Sequence, residues 1–200
     1  MKIWPLLLVL LAGAVACGEP DYARAKKATL RFQTSRLVCS ATAVGHHLVL
    51  TDVHCMEGGT DGLRLNGRAA KIERVVDDGN DHVLLKTDIY FEHVATLGPK
   101  PKQGDIVFSH GNPATVPDIL AVGRVAGWLP VLTYEGWGTF RDVMLLDRND
   151  WHGCSGAAVF DAQGRVVGVV NSLFPGDSEW RLTGAFGLMF TPQQWKEAAA

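Results

Sequence analysis

The stretch GCSGAAVFDAQGRVVGVVNSL, residues 153–173, decides much of the fold. A glycine-rich turn leads into the short apolar run AAVF, the polar tetrapeptide DAQG at 161–164 ends that run, and a longer valine-rich run follows. Apolar runs this short favour strands over helices, and a glycine-containing tetrapeptide between two of them is a good hairpin turn. We therefore expect two strands joined by a tight turn.

The same alternation of short apolar runs and turn residues extends over most of the chain. Asn66-Gly67 is the dipeptide that a type I′ hairpin turn prefers. One helix is expected, at the C-terminus, where Thr191 can cap it, Pro192 fits its first turn and Gln194 completes a capping box. The pattern predicts an all-β protein with this helix packed on its surface. The other predicted strands are TLRF, VCSATAV, HLVLT, LRLNGRAAKIERVV, HVLLK, DIVFS, LAVGRVAGW, DVMLL and FGLMF.

Composition and charge describe an ordinary globular protein. Of the 200 residues, 47% are hydrophobic and 20% are charged, which allows one sizeable core or two small fused cores. The formal net charge is −2, and no basic block is present. Nucleic-acid binders usually carry a basic patch or stripe, so we expect no nucleic-acid partner.

The N-terminus MKIWPLLLVLLAGAVAC, residues 1–17, has the order of an export signal: a lysine, an apolar run and small residues. The apolar run would rise only about 16 Å as a helix, which is too short to cross a bilayer. We expect a signal peptide over 1–16 and an exported protein, periplasmic or extracellular. The small residue before Cys17 resembles a lipoprotein box and favours lipidation of that cysteine, with a soluble secreted product as the alternative. Residues 17–28 are polar and are expected to form a tether.

Three further cysteines, Cys39, Cys55 and Cys154, bear on redox state and metal binding. In an oxidising compartment this odd number predicts one disulfide and one free thiol. His46 and His47 lie between the first two cysteines, but their spacing matches no standard zinc pattern. We therefore expect no metal site.

Three polar residues at the ends of apolar runs could form a catalytic group. His54 comes just after one run, and Asp81 stands directly before another, where a partly buried carboxylate needs a donor such as imidazole. Ser155 lies between Gly153 and Gly156 in a turn whose backbone N–H groups could face a ligand. The chain order His, Asp, Ser is one of those in which catalytic triads occur.

Four stretches together resemble the chymotrypsin-fold serine proteases, closest to their small bacterial HtrA-type and glutamyl-endopeptidase-like branches. CSATAVGHHLVLTDVHC resembles the segment of the catalytic histidine, NDHVLLK that of the aspartate, GDIVFSHGNPATVPDILAVGRVAG the entry to the second barrel, and GCSGAAVFDAQGRVVGVVN that of the nucleophile. The resemblance covers about residues 30–195. It implies two six-stranded antiparallel Greek-key β-barrels followed by a short C-terminal helix. Because LGPKPKQGD interrupts the strand-rich halves, we expect the first barrel over 29–98 and the second over 99–200.

The resemblance also implies a role for each candidate residue. His54 would be the general base, Asp81 would fix the tautomer of His54, and Ser155 would attack the acyl carbon. The backbone N–H groups of Gly153 and Ser155 would form the oxyanion hole. A serine hydroxyl is a weak nucleophile at neutral pH, so it needs both a nearby base and such donors. No cofactor is expected.

Two further features follow from the resemblance. Cys39 is expected to pair with Cys55 across the histidine loop, which leaves Cys154 free. An acidic pocket floor at Asp150 would favour a basic side chain before the scissile bond. The predicted substrate-pocket residues are Asn149, Asp150, Val170, Asn171, Ser172 and Gly184, with the segment 184–187 forming one wall.

The sequence is therefore interpreted as an exported, trypsin-like serine endopeptidase that cuts protein or peptide substrates through an acyl-enzyme. We expect a monomer whose only membrane attachment is the lipid considered above. The alternative is a catalytically silent binding module on the same fold. Asp52, Cys154 and Ala157 support this alternative, because they depart from the family pattern around the histidine and the serine.

Overall fold

The structure is a computed structural model, and it describes residues 20–113, 116–134, 138–148, 150–173 and 183–200. The expected signal peptide and Cys17 lie outside these ranges. Within them, no helix combines the length and the apolar character needed to cross a membrane.

The first half of the chain forms one antiparallel sheet, in the order β5-β4-β1-β2-β3-β7-β6. It has seven strands where six were expected, because LRLNGRAAKIERVV divides into three: two short strands around the Asn66-Gly67 turn, and a longer one. Both turn residues have positive φ, 49° and 78°, as the predicted type I′ turn requires. The strands are β1 Thr29–Gln33, β2 Val38–Gly45, β3 Leu48–Asp52, β4 Arg64–Leu65, β5 Arg68–Ala69, β6 Ile72–Asp77 and β7 His82–Thr87.

The second half forms a closed six-stranded barrel, in the order β10-β13-β12-β11-β8-β9, as expected. The predicted hairpin around DAQG is confirmed, because β11 and β12 pair antiparallel. The strand predicted for FGLMF ends at Phe186: the Gly187 N–H still donates to Asp142 O of β10, but the Met189 N–H donates to an Asp78 carboxylate instead of to a strand. The strands are β8 Ile106–Gly111, β9 Ile119–Tyr134, β10 Gly138–Leu146, β11 Ala158–Asp161, β12 Val166–Leu173 and β13 Thr183–Phe186.

Two helices flank these sheets. Within residues 17–28, where a polar tether was expected, α1 spans Tyr22–Ala28. Asp21 caps α1 by accepting a hydrogen bond from the Arg24 N–H, and α1 buries two alanines. The C-terminal helix α2, Pro192–Ala199, has the predicted capping box and packs against β6 and β7.

Buried apolar side chains form three clusters: one within the first sheet, one within the barrel and one shared by both with the helices. In the shared cluster the rings of Phe108 and Phe160 stack with centroids 5.5 Å apart. Polar contacts also join the halves: the Asn80 amide donates to Arg141 O and Gly187 O, and accepts from Arg141 N–H. The predicted all-β fold of the chymotrypsin type, with a short C-terminal helix, is confirmed.

Candidate active site

His54 and Asp81 meet because β3 and β7 are antiparallel neighbours. His54 begins a 3₁₀ turn just after β3, and Asp81, with φ of 68°, directly precedes β7. The Asp81 carboxylate accepts two hydrogen bonds from His54: 2.7 Å from Nδ1 to Oδ2, and 3.0 Å from the backbone N to Oδ1. A third bond, from Val53 N–H to Asp81 O, measures 2.7 Å. The imidazole is thereby oriented through Nδ1, which leaves Nε2 for another partner.

The charges of this pair stabilise each other. Burial disfavours the charged form of Asp81, but the hydrogen bond and the positive charge of His54 outweigh burial and lower the pKa of Asp81. Burial likewise disfavours the imidazolium. The hydrogen bond to Asp81, with the charges of Asp52 and Asp81, outweighs it and raises the pKa of His54 to about 9. His54 therefore holds its proton well above neutral pH.

A second carboxylate, that of Asp52, lies on the other side of the imidazole. Its Oδ2 is 3.8 Å from His54 Nε2, and the side chain is fully buried. Burial is the main reason that the pKa of Asp52 rises to about 8. The Asn171 amide donates to both carboxylates, 2.9 Å to Asp52 Oδ1 and 3.2 Å to Asp81 Oδ2. Asn171, which was predicted to line the pocket, is buried and joins the two carboxylates.

The turn that carries Ser155 is anchored to β2 of the first sheet. Ser40 N–H donates to Ser155 O, and the Ser40 hydroxyl donates to Gly153 O, each at 2.8 Å. Asn112 N–H in turn donates to that hydroxyl at 2.7 Å. Among the described residues, the N–H groups of Gly153 and Ser155 have no hydrogen-bond acceptor, so both are available to a ligand.

The structure brings Ser155 close to the first sheet but does not join it directly to the histidine. Ser155 is partly exposed, and within the described ranges no hydrogen bond links its hydroxyl to His54. A Cβ on the next residue, Gly156, would lie 2.1 Å from Ser40 O and 2.3 Å from Thr51 Oγ1. Only glycine therefore lets this turn pack against β2 and β3, the strand that leads to His54.

The predicted disulfide between Cys39 and Cys55 is present, and Cys154 is a buried free thiol, as expected. The disulfide ties the 3₁₀ turn of His54 to β2. Burial raises the pKa of Cys154 to about 11, so this thiol is un-ionised at neutral pH. It lies against Gly111, where an added Cβ would be 2.5 Å from its sulfur.

The side chains around His54 are poorly suited to bind a metal. His54, Cys55 and a neighbouring carboxylate lie within ligand distance of one another, but the Cys55 sulfur is in the disulfide and cannot act as a thiolate. His46 and His47 do not join this group, because their rings pack against Tyr90.

The remaining predicted pocket residues are mostly buried. The Asp150 carboxylate is 3.2 Å from a guanidinium nitrogen of the buried Arg148, so its charge is already neutralised. This contradicts the expectation of a free acidic pocket floor. Val170 belongs to the barrel core, and Gly184 lies in β13. Two predicted residues fall outside the described part: Asn149 and the side chain of Ser172.

Two important residues were not recognised as such in the sequence. Ser40 was part of a predicted strand, and Asn171 was assigned to the pocket. Both act across the interface between the halves, at sequence separations of 113 for Ser40 and Gly153, and 119 for Asn171 and Asp52. A polar residue within an apolar run was the only signal available.

Comparison with known proteins agrees with this architecture. The trypsin-like peptidase domain matches residues 39–169. The structure is similar to the HtrA-type protease AlgW with tripeptide, at 25% identity and a TM-score of 0.70, over 84% of this chain and 60% of AlgW. It is also similar to the inactive form of the Rv3671c protease from M. tuberculosis. That match has 18% identity and a TM-score of 0.73, and it covers 92% of this chain and 98% of the Rv3671c chain. The serine endoprotease from Yersinia pestis matches with 20% identity and a TM-score of 0.67, over 82% of this chain and 60% of the Yersinia chain.

No curated protein is similar enough to the sequence to match it. The chain spans about 60% of the length of AlgW and of the Yersinia pestis protease. The family match nevertheless extends over more than half of the chain, and these structural neighbours are proteases. The chain therefore belongs to the family of trypsin-like peptidases.

Proposed function

We propose that the chain is an exported serine endopeptidase that hydrolyses peptide bonds through His54, Asp81 and Ser155. The observation that carries the proposal is the double hydrogen bond between His54 and Asp81, which engages the backbone N and Nδ1 and leaves Nε2 without a hydrogen bond among the described residues. The two available N–H groups beside Ser155 are a second support. A nucleophile, an oriented base and preorganised donors are what acyl transfer to serine requires.

The proposed reaction has two halves. Ser155 Oγ attacks the carbonyl carbon of the substrate while its proton passes to His54 Nε2, and the N–H groups of Gly153 and Ser155 stabilise the oxyanion. As the peptide C–N bond breaks, His54 returns this proton to the leaving amine, which gives an acyl-enzyme. A water molecule then repeats the sequence and releases the acid. Asp81 holds Nδ1 protonated and stabilises the imidazolium in both halves.

The substrate class is a protein or peptide. The structures of AlgW with a tripeptide and with a decapeptide are the basis for this part of the proposal. Export is proposed from the N-terminal sequence alone, as is lipidation of Cys17, with free secretion as the alternative.

Intact mass after reaction with a fluorophosphonate tests this function without knowledge of the substrate. Because the pKa of His54 is raised to about 9, the reaction is run at pH 7 and at pH 10. We expect one adduct on the wild type at pH 10 and none on Ser155→Ala or His54→Ala. A folded wild type that remains unmodified at both pH values would contradict the proposal.

A catalytically silent binding module is the second candidate, and one observation favours it. Ser155 has no hydrogen bond to His54 within the described ranges, while the Asp52 carboxylate lies beside Nε2. In that case the surface around His54 and Ser155 would bind peptide without cleaving it. The fluorophosphonate experiment separates the two candidates, because a binding module would form no adduct at either pH.

A further inference from the structure

Asp52 is a buried carboxylate without a role in the proposed reaction. Its side chain is fully buried, and Oδ2 has no hydrogen-bond partner among the described residues. An ionised carboxylate in such a place is unstable unless a charge or donor lies close to it. The Nε2 of His54, 3.8 Å away, is a cationic donor whenever the imidazole is protonated.

The position of Asp52 is fixed rather than accidental. It ends β3, where it is the cross-strand partner of His82 in β7. Asn171 of β12 holds its other oxygen and also holds Asp81. The charged groups that act on Asp52 are therefore His54, Asp81 and His82, each from an element packed against it.

The Nε2 atom of His54 can serve either of two competing roles. Removing a proton from Ser155 requires the Nε2 lone pair, which only a neutral imidazole with its proton on Nδ1 can offer. An ionised Asp52 favours the opposite state, in which Nε2 carries a proton directed at Oδ2. His54 thus has a carboxylate near each ring nitrogen, at 2.7 Å for Asp81 and 3.8 Å for Asp52.

We propose that Asp52 is a second carboxylate partner of His54, which stabilises the imidazolium through Nε2 and so opposes activation of Ser155 wherever Asp52 is ionised. Asp52 is a positioning residue and does not touch the substrate. The inference rests on the proposed function only for its effect on Ser155; its effect on His54 holds for a silent binding module as well.

The titration of His54 is the direct test, and it requires no activity. NMR of the imidazole nitrogens gives the pKa of His54 in the wild type, Asp52→Asn and Asp52→Ala. Asparagine can still accept the bond from Asn171, and alanine provides a second variant should asparagine disturb folding. We expect the pKa of His54 to fall by about one pH unit or more in both variants, because an opposite charge at this distance has been removed.

Glu57→Gln is the matched control. Glu57 also carries a negative charge that favours the imidazolium, but its side chain is exposed and solvent screens it. The pKa of His54 should change by no more than a few tenths in this variant. A fall of equal size in Glu57→Gln and Asp52→Asn would mean that no specific partnership exists.

The rate of fluorophosphonate labelling as a function of pH tests the consequence for Ser155. Because the pKa of Asp52 is raised to about 8, its charge acts on His54 mainly above that pH, where a lower pKa of His54 increases the neutral fraction of the imidazole. We therefore expect Asp52→Asn to label about threefold faster than the wild type near pH 8.5, where Asp52 is ionised and His54 is still largely protonated, and the two to converge at pH 7 and at pH 10. Slower labelling at every pH, with the same midpoint, would overturn the inference and make Asp52 a structural residue.

The two hypotheses fail in different ways. If the folded wild type never labels but Asp52→Asn lowers the pKa of His54, the proposed function is wrong and the partnership of Asp52 with His54 stands. If the wild type labels and the pKa of His54 is the same in the Asp52 variants, the proposed function stands and this inference is wrong.

Discussion

Gly156, directly after the proposed nucleophile, offers a severe test of how the Ser155 turn packs. Replacement by alanine would place a methyl carbon 2.1 Å from Ser40 O and 2.3 Å from Thr51 Oγ1, well inside van der Waals contact. Both atoms belong to paired strands, so the turn itself would have to move by about 1 Å. This movement would break the hydrogen bond from Ser40 N–H to Ser155 O.

The expected loss of unfolding free energy has two contributions, which a control variant can separate. Gly156 has φ of 81°, and alanine in this region costs about 1–2 kcal/mol from backbone strain alone. Forced overlap in a packed interior adds about 1–3 kcal/mol more. Gly67 has nearly the same φ, 78°, but no atom within 4 Å of a Cβ, so Gly67→Ala should show only the first part.

Urea unfolding of the wild type and the two variants is the assay. We expect a loss of unfolding free energy of about 2–5 kcal/mol for Gly156→Ala and about 1–2 kcal/mol for Gly67→Ala. Gly156→Ala should also lose fluorophosphonate labelling under conditions where it is still folded, because the turn has shifted. Equal losses of stability in the two variants would show that the turn does not pack as described.

Three further predictions concern the disulfide, the free thiol and a buried ion pair. The double variant Cys39→Ala, Cys55→Ala should lower the unfolding free energy by about 3 kcal/mol, because the disulfide closes a loop between cysteines 16 positions apart and so restricts the unfolded chain. An unchanged urea midpoint would contradict this. Cys154, buried and with its pKa raised to about 11, should react with iodoacetamide at pH 8 only as fast as the protein unfolds, and rapid labelling of the native protein would count against its placement. The buried pair of His82 and Asp78, 2.7 Å apart, raises the pKa of His82 and lowers that of Asp78. Its stabilisation is lost as pH rises through the folded-state pKa of His82 and as pH falls through that of Asp78. Asp78→Asn should therefore destabilise the protein most between about pH 4 and pH 6.5. Equal destabilisation at pH 5.5 and pH 10 would refute this assignment.

Local signals in the sequence were sufficient for many elements. The Asn66-Gly67 turn and the capping box of α2 depend on residues only a few positions apart, and both are present as predicted. The meeting of His54 with Asp81 required only that two adjacent apolar runs pair as strands. The disulfide followed from the family resemblance and not from the spacing of cysteines.

Features that depend on tertiary packing were missed or misassigned. Helix α1 is short, and its stability comes from burying two alanines, which a polar lead-in sequence does not reveal. Asp150 was predicted to form an acidic pocket floor. Nothing in the sequence indicates that the Arg148 side chain is buried beside it and pairs with its carboxylate. The contact of Asn171 with Asp52 and Asp81 was missed for the same reason: these carboxylates lie in the other half of the chain.

The hydrogen bonds from Asn80 to Arg141 and from Ser40 to Gly153 join segments made at very different times during synthesis. When the first sheet is complete, the chain has its histidine and aspartate but not yet the turn that bears the serine. The turn of Ser155 can dock on β2 only after residues 153–156 have been made. If the proposed function is correct, a chain whose second half has not yet docked would lack the complete catalytic group and could not cleave its neighbours or itself.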